Sequence, residues 1–246
     1  MRCRYKIEIA WSIFGTVSVN ATIPQREIVK MVVLTVFVVL WIFPREFHRL
    51  KTAEADVKKD IILAGVGGQG VLSIAAIIAQ AAVTQGLAVR QSEVHGMAQR
   101  GGAVLAHLRI AGAPIPGDLV SRGGADLIIS MEPLESLRYA EWLSPRGGLV
   151  TAAEPFINIP TYPEPDSILA SIRRFPTARI VEAAALAREA GLPRAVNMVM
   201  VGAASPFLSI GTEILEAAIE TTFAGKGADM AEANKRAFRL GRGAAE

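Results

Sequence analysis

Cysteine is almost missing from this sequence. The 246 residues contain one, Cys3. A single thiol makes no internal disulfide and cannot supply the four thiolates of an iron–sulfur cluster. Histidine is nearly as scarce: His48, His95 and His107 are scattered without zinc-ligand spacing. Any metal or redox-cluster chemistry that involves this chain is therefore expected on another polypeptide. A reducing, cytoplasmic setting fits a chain with one cysteine.

Net charge is also in short supply. Lys and Arg number 26, Asp and Glu 23, and the formal net charge is +3. Residues 1–56 hold 8 basic and 5 acidic side chains, which leaves 18 of each sign in the other 190. A neutral body lacks the clustered basic face of a nucleic-acid binder, so no nucleic acid is expected as a partner. What is abundant is aliphatic: 51% of residues are hydrophobic and 20% charged. That composition excludes disorder, and the length gives one full-sized domain with a large core.

The first 56 residues form an atypical hydrophobic and basic head. Residues 28–43 are apolar apart from Lys30 and Thr35, with Arg26 before and Arg45, His48, Arg49 and Lys51 after. As a helix this run would reach about 24 Å, short of the ~30 Å hydrocarbon core of a bilayer. No small-residue cleavage site follows it, so a secretory signal is a poor reading. Three readings stand: a short membrane anchor, an extra element packed on the body, or sequence upstream of the true start. A membrane is expected as a partner only under the first.

From residue 57 the chain alternates. Short runs at 60–64, 87–94, 103–110, 125–131, 148–152 and 178–183 read as strands, the first apolar and that at 103–110 alternating. Longer stretches at 69–85, 133–143 and 166–175 read as helices, with Pro133 in a first turn and Asp166 as an N-cap. A further helix closes at Gly191, and 195–207, 212–223 and 229–240 complete a helical C-terminus. The pattern predicts an α/β fold for residues 57–246. It is a three-layer sandwich whose mostly parallel, Rossmann-like sheet has helices on both faces.

Two loops concentrate the candidate site residues. Gly65-Val66-Gly67-Gly68-Gln69-Gly70 fits G-x-G-x-x-G between the first body strand and its helix. Glycines there let backbone approach a phosphate, and the helix start supplies free N–H groups. The acidic residue that should bind a ribose is poorly matched: Glu93 comes 28 positions after Gly65 rather than about 20. The second loop, His95-Gly96-Met97-Ala98-Gln99-Arg100-Gly101-Gly102, follows the second strand. Arg100 suits a phosphate or carboxylate, His95 suits proton transfer, and Gly101-Gly102 permits close approach. A tight turn without ligand, and an arginine paired to a surface carboxylate, are the plainer readings of the same residues. His107 reads as a structural residue.

Taken together, the two loops resemble the gamma-type domain of the 2-oxoacid:ferredoxin oxidoreductases. The run from Ser92 to Gly102 resembles in particular the small (beta) subunits of that family's indolepyruvate branch. The segment from Asn197 to Ala203 is similar to the family's C-terminal helix, and that from Glu232 to Phe238 to its closing helix. The resemblance spans about residues 57–243 and stops short of the head.

The resemblance implies a share in oxidative decarboxylation of an aryl pyruvate. CoA would be co-substrate and ferredoxin would receive the electrons through the complex. It also implies a large partner subunit that holds thiamine diphosphate and [4Fe–4S] clusters. The sequence agrees, because it has no Gly-Asp-Gly thiamine motif: Gly117-Asp118 continues as Leu119. No catalytic side chain is assigned to this chain. The cofactor-facing candidates are Gly65, Gly67, Gly68, Gln69, Gly70, His95, Gly96, Gln99, Arg100, Gly101 and Gly102, set at or near the partner interface.

Two other classes are compatible with parts of the sequence. A self-sufficient NAD(P)-dependent oxidoreductase would use the first glycine loop. It lacks the ribose acid and a Tyr-x-x-x-Lys pair, since Tyr139 is followed four positions later by Leu143. A membrane-associated nucleotide sensor would use residues 28–43 as its anchor.

Overall fold

The structure is a computed structural model that describes residues 5–11, 15–21, 57–93, 101–157 and 159–244. The chain divides into two compact units, Met1–Ala53 and Glu54–Glu246. In the first, strands β1 (Tyr5–Trp11) and β2 (Gly15–Ala21) pair antiparallel, Tyr5 opposite Ala21. The apolar run at 28–43 lies outside the described residues, as do Val94 and residues 95–100 of the second loop. No helix among the described residues is long and apolar enough to cross a membrane.

The second unit is built on six strands: β3 (Lys58–Val66), β4 (Ala88–Glu93), β5 (Ala103–Ala111), β6 (Ala125–Ser130), β7 (Leu143–Ala152) and β8 (Ala178–Val181). They lie in the order β4-β5-β3-β6-β7-β8. The pairs β3–β6, β6–β7 and β7–β8 are parallel, whereas β5 runs antiparallel to both β3 and β4. The sheet is thus mostly parallel with an antiparallel margin. This order puts β4 at the edge, one strand away from β3. Glu93 therefore does not end the strand beside the glycine loop, where a Rossmann ribose acid would sit.

Alternation along the central strands assigns each side chain to a layer. Ile61, Leu63, Leu127, Ile129 and Val150 belong to one buried cluster, and Ile62, Ile128 and Leu149 to another. The first cluster is covered by α1 (Val71–Thr84), α4 (Ala183–Glu189), α5 (Val196–Ala204), α6 (Thr212–Phe223) and α7 (Ala228–Gly243). The second is covered by α2 (Pro133–Arg138) and α3 (Pro165–Ile172), through Leu134, Leu137, Ile168 and Ile172. Helices therefore cover both faces and the C-terminus is helical, as the sequence pattern predicts.

Glycine ends two of these helices as expected. Gly86 has φ 83°; its N–H bonds Val83 O and that of Leu87 bonds Ala82 O, each at 3.0 Å. Gly191 has φ 79° and does the same on Arg188 and Ala187 at the end of α4. This left-handed ending satisfies carbonyls that the helix leaves open.

Several boundaries differ from the sequence reading. The helix after the first glycine loop starts at Val71, because Gly70 at its N-cap is left-handed (φ 81°). The helix from Pro133 stops at Arg138; Ala140–Trp142 is a 3₁₀ turn in which the Tyr139 and Trp142 rings meet edge-on at 5.6 Å. The chain then enters β7 at once, pairing Leu143 with Ala125, and a register shift absorbs Pro145 to Gly147 as an irregularity. Asp166 is not the N-cap of its helix. Pro165 takes the first turn, Glu164 is the N-cap residue, and Asp166 adds its carboxylate to the first turn.

Candidate functional site

The first glycine loop is a folded device in its own right. A Cβ on Gly65 would lie 2.7 Å from Val71 Cγ2 and 3.1 Å from Met131 Cβ, so only glycine lets α1 and the end of β6 close on this strand. Gln69 Oε1 accepts from the Val66 N–H at 2.7 Å, and its Nε2 donates to Met131 O at 3.2 Å. The Gln69 amide thus pins the loop rather than reaching outward. Gly68 (φ 104°) and Gly70 (φ 81°) stand in left-handed conformations that side chains resist.

The second loop meets the first through backbone. Gly67 N–H donates to Gly102 O at 2.9 Å, and Gly101 N–H donates to Gly67 O at 3.2 Å. Gly65, Gly67, Gly68, Gln69, Gly70, Gly101 and Gly102 are therefore gathered at one place. His95, Gly96, Gln99 and Arg100 lie outside the described residues.

Beside this pair of loops opens a cleft of about 520 Å³ at the carboxyl ends of β3, β6 and β7. Gly68, Gln69 and Gly70 line it together with Met131, Glu154, Phe156, Arg194 and Asn197. Carboxyl ends of strands are where open α/β sheets place their ligands. Two helix starts face it. Neither α1 nor α5 has a side-chain cap or an acid in its first turn, so both present an uncompensated positive dipole end. Arg194 is exposed there and makes no ion pair with any described residue. The place a Gly70 Cβ would take is 3.5 Å from Asn197 Nδ2. The acid in the cleft, Glu154, is turned away from this role: its Oε1 accepts from Ala184 N–H at 2.6 Å, at the start of α4. The arrangement suits an anion such as a phosphate or carboxylate.

Behind the cleft sits a buried carboxylate, Glu132, 1% exposed. Its Oε2 accepts from Glu135 N–H at 2.7 Å and caps α2. Its Oε1 accepts from Phe156 N–H at 3.3 Å and from the Tyr162 hydroxyl. Burial and this neighbouring carboxylate hold the Tyr162 phenol protonated far above its ordinary range. Glu132 thereby ties the segment after β7 to the end of β6.

Sequence reasoning did not pick out Arg194, Asn197, Glu154 or Glu132. Arg194 carries one readable signal, a cation directly ahead of an apolar helix that lacks a capping residue. The other three are placed by chain crossings that no local pattern reveals.

Residues 60–244 match the family model described as pyruvate ferredoxin/flavodoxin oxidoreductase. The chain belongs to that family. It is 38% identical over 195 residues to the indolepyruvate oxidoreductase subunit IorB of Archaeoglobus fulgidus, covering 75% of this chain and 94% of the relative. It is 30% identical over 185 residues to the 2-oxoglutarate synthase subunit KorC of the same organism, covering 74% and 85%. The fold is similar to that of the keto/oxoacid ferredoxin oxidoreductase gamma subunit from Geobacter sulfurreducens (TM-score 0.56, 22% identity, 76% of this chain and 98% of that one). It is also similar to the 2-oxoglutarate:ferredoxin oxidoreductase from Magnetococcus marinus (TM-score 0.62, 22% identity, 76% of this chain). There the match spans 31% of the longer chain.

Proposed function

We propose that this chain is the small subunit of a CoA-dependent 2-oxoacid:ferredoxin oxidoreductase acting on indolepyruvate or a related aryl pyruvate. The graded likeness carries the reading. Relatives called indolepyruvate oxidoreductase subunit IorB are 35–38% identical, and those called 2-oxoglutarate synthase subunit KorC are 28–30% identical. In the reaction the bond from the carboxyl carbon to the keto carbon breaks and carbon dioxide leaves. The CoA thiol gives up its proton to solvent, its sulfur is joined to the remaining acyl group, and two electrons pass to ferredoxin.

The large subunit holds thiamine diphosphate, which supplies the electron sink for decarboxylation, and the [4Fe–4S] clusters. A chain with one cysteine cannot ligate such a cluster alone. Among the described residues no group of His, Cys, Asp and Glu is arranged to hold a metal ion. The work of this chain is binding and orientation. Arg194, Asn197 and the starts of α1 and α5 hold a phosphate of CoA, and Gly68 and Gly70 allow its close approach. By the resemblance, His95, Gly96, Gln99, Arg100, Gly101 and Gly102 are assigned to the region at or near the partner interface. The assembly works in the cytoplasm.

The test is co-expression with the large iron–sulfur subunit from the same genome, followed by CoA-dependent dye reduction with indolepyruvate. The expected result is a complex that co-purifies and an activity absent from the large subunit alone. No complex and no gain in activity would overturn the reading.

A further inference from the structure

Among the described residues, three of the six large apolar side chains left in solvent lie in one loop. Phe156, Ile157 and Ile159 are 43%, 68% and 40% exposed. They belong to the segment 155–163, Pro-Phe-Ile-Asn-Ile-Pro-Thr-Tyr-Pro, which has no charged residue and three prolines. Solvated surface loops normally carry charge, and a contiguous apolar patch on a monomer marks an interaction site.

The described residues on either side of position 158 are also held in place. Glu132 takes the Phe156 N–H at one end and the Tyr162 hydroxyl at the other, and Tyr162 N–H bonds Ile159 O at 3.3 Å. Prolines and a buried carboxylate anchor lower the ordering cost of binding. Phe156 also lines the anion cleft. The apolar surface therefore continues the rim of the candidate site. In the Magnetococcus marinus enzyme the matching region makes up 31% of a longer chain.

We infer that residues 155–157 and 159–163 form a docking surface, with Ile157 and Ile159 seated in an uncharged apolar groove of the large subunit, which closes over the cleft. The inference rests on the subunit reading above.

The test uses the full chain co-expressed with the large subunit, comparing wild type, the Ile157→Asp/Ile159→Asp double variant, and Leu119→Asp. Leu119 is 64% exposed and lines no part of the cleft. Two aspartates in a dry contact should weaken assembly by about a hundredfold, a shift typical of hot-spot loss. Activity should return as the double variant is titrated to high concentration, and its own thermal midpoint should match wild type. The milder Ile157→Ser/Ile159→Ser pair should fall between, which covers any folding defect in the charged variant. Assembly of both loop variants with wild-type affinity overturns the inference, as does an equal loss with Leu119→Asp. It also falls if the loop variants abolish only self-association of the isolated chain. Failure of the wild type to assemble is a different outcome, because it overturns the subunit reading itself.

Discussion

Gly67 N–H donates to Gly102 O at 2.9 Å, joining two glycine motifs that lie 35 positions apart in the chain. The neighbouring Gly101 answers with a bond to Gly67 O while its own φ is 76°. A β-branched residue in that conformation is strained by about 1–3 kcal/mol. Gly101→Val is therefore expected to reduce the activity of the assembled enzyme more than it lowers the thermal midpoint. Unchanged kinetics would show that the pairing of the loops does not matter to the reaction.

Arg194 has no ionic partner among the described residues and faces two uncapped helix starts. A charge-assisted bond to a phosphate contributes about 1.5–3 kcal/mol. Arg194→Ala should raise the KM for CoA by about 10-fold or more and leave the indolepyruvate KM within a factor of two. Arg194→Lys should recover part of the loss. Steady-state kinetics on the assembled enzyme decide this, and an unchanged CoA KM would move the anion elsewhere.

Glu132 accepts three hydrogen bonds from a buried position. Glu132→Ala leaves the Tyr162 hydroxyl and two backbone amides without their acceptor, an expected cost of about 3 kcal/mol. Glu132→Gln keeps one carbonyl acceptor and should lose less. Urea denaturation of both variants tests the order, which would be refuted by equal stabilities.

Gly202 on α5 and Gly241 on α7 let two helix backbones touch. A methyl on Gly202 would overlap Phe238 O and lie 2.8 Å from Arg242 N; one on Gly241 would overlap Val199 O and lie 2.7 Å from its carbonyl carbon. The nearest atoms are backbone, which cannot swing away. Gly202→Ala and Gly241→Ala should each destabilise by about 3 kcal/mol, the upper range for overpacking, although alanine favours an exposed helix. Calorimetric midpoints at or above wild type would contradict the close crossing.

His107 is buried, and its Nδ1 accepts from Val120 N–H at 3.2 Å, which requires that nitrogen to be unprotonated. Burial lowers its pKa below the ordinary value. The unfolded chain then takes up the proton at a higher pH than the folded one. This contribution is complete above about pH 6.5 and is lost as pH falls through the lowered folded value. The denaturation midpoint should therefore be lower at pH 5 than at pH 7.5, and His107→Gln should narrow that gap. An identical gap in the variant would assign the pH dependence to other groups.

By itself the sequence determined the layers. The runs at 60–64 and 125–131 are apolar through their middles, Ile61–Ala64 and Leu127–Ile129, which reads as central strands covered on both sides. It also marked the two glycine loops, because G-x-G-x-x-G after a strand has few structural uses. Helix endings at Gly86 and Gly191 were legible for the same local reason, the left-handed residue that closes a helix.

Tertiary structure decided the rest. The order β4-β5-β3 depends on which strands meet through long connections, and it set Glu93 one strand away from the glycine loop. The register shift in β7 brought residues 143–147, outside the strand read at 148–152, into the sheet. Arg194, Asn197 and Glu154 reach one cleft from segments about 40 to 125 residues away from parts of its lining, a proximity that spacing along the chain does not encode. Local patterns fix where a backbone bends and which side is buried; the packing of distant segments fixes which charges face the same space.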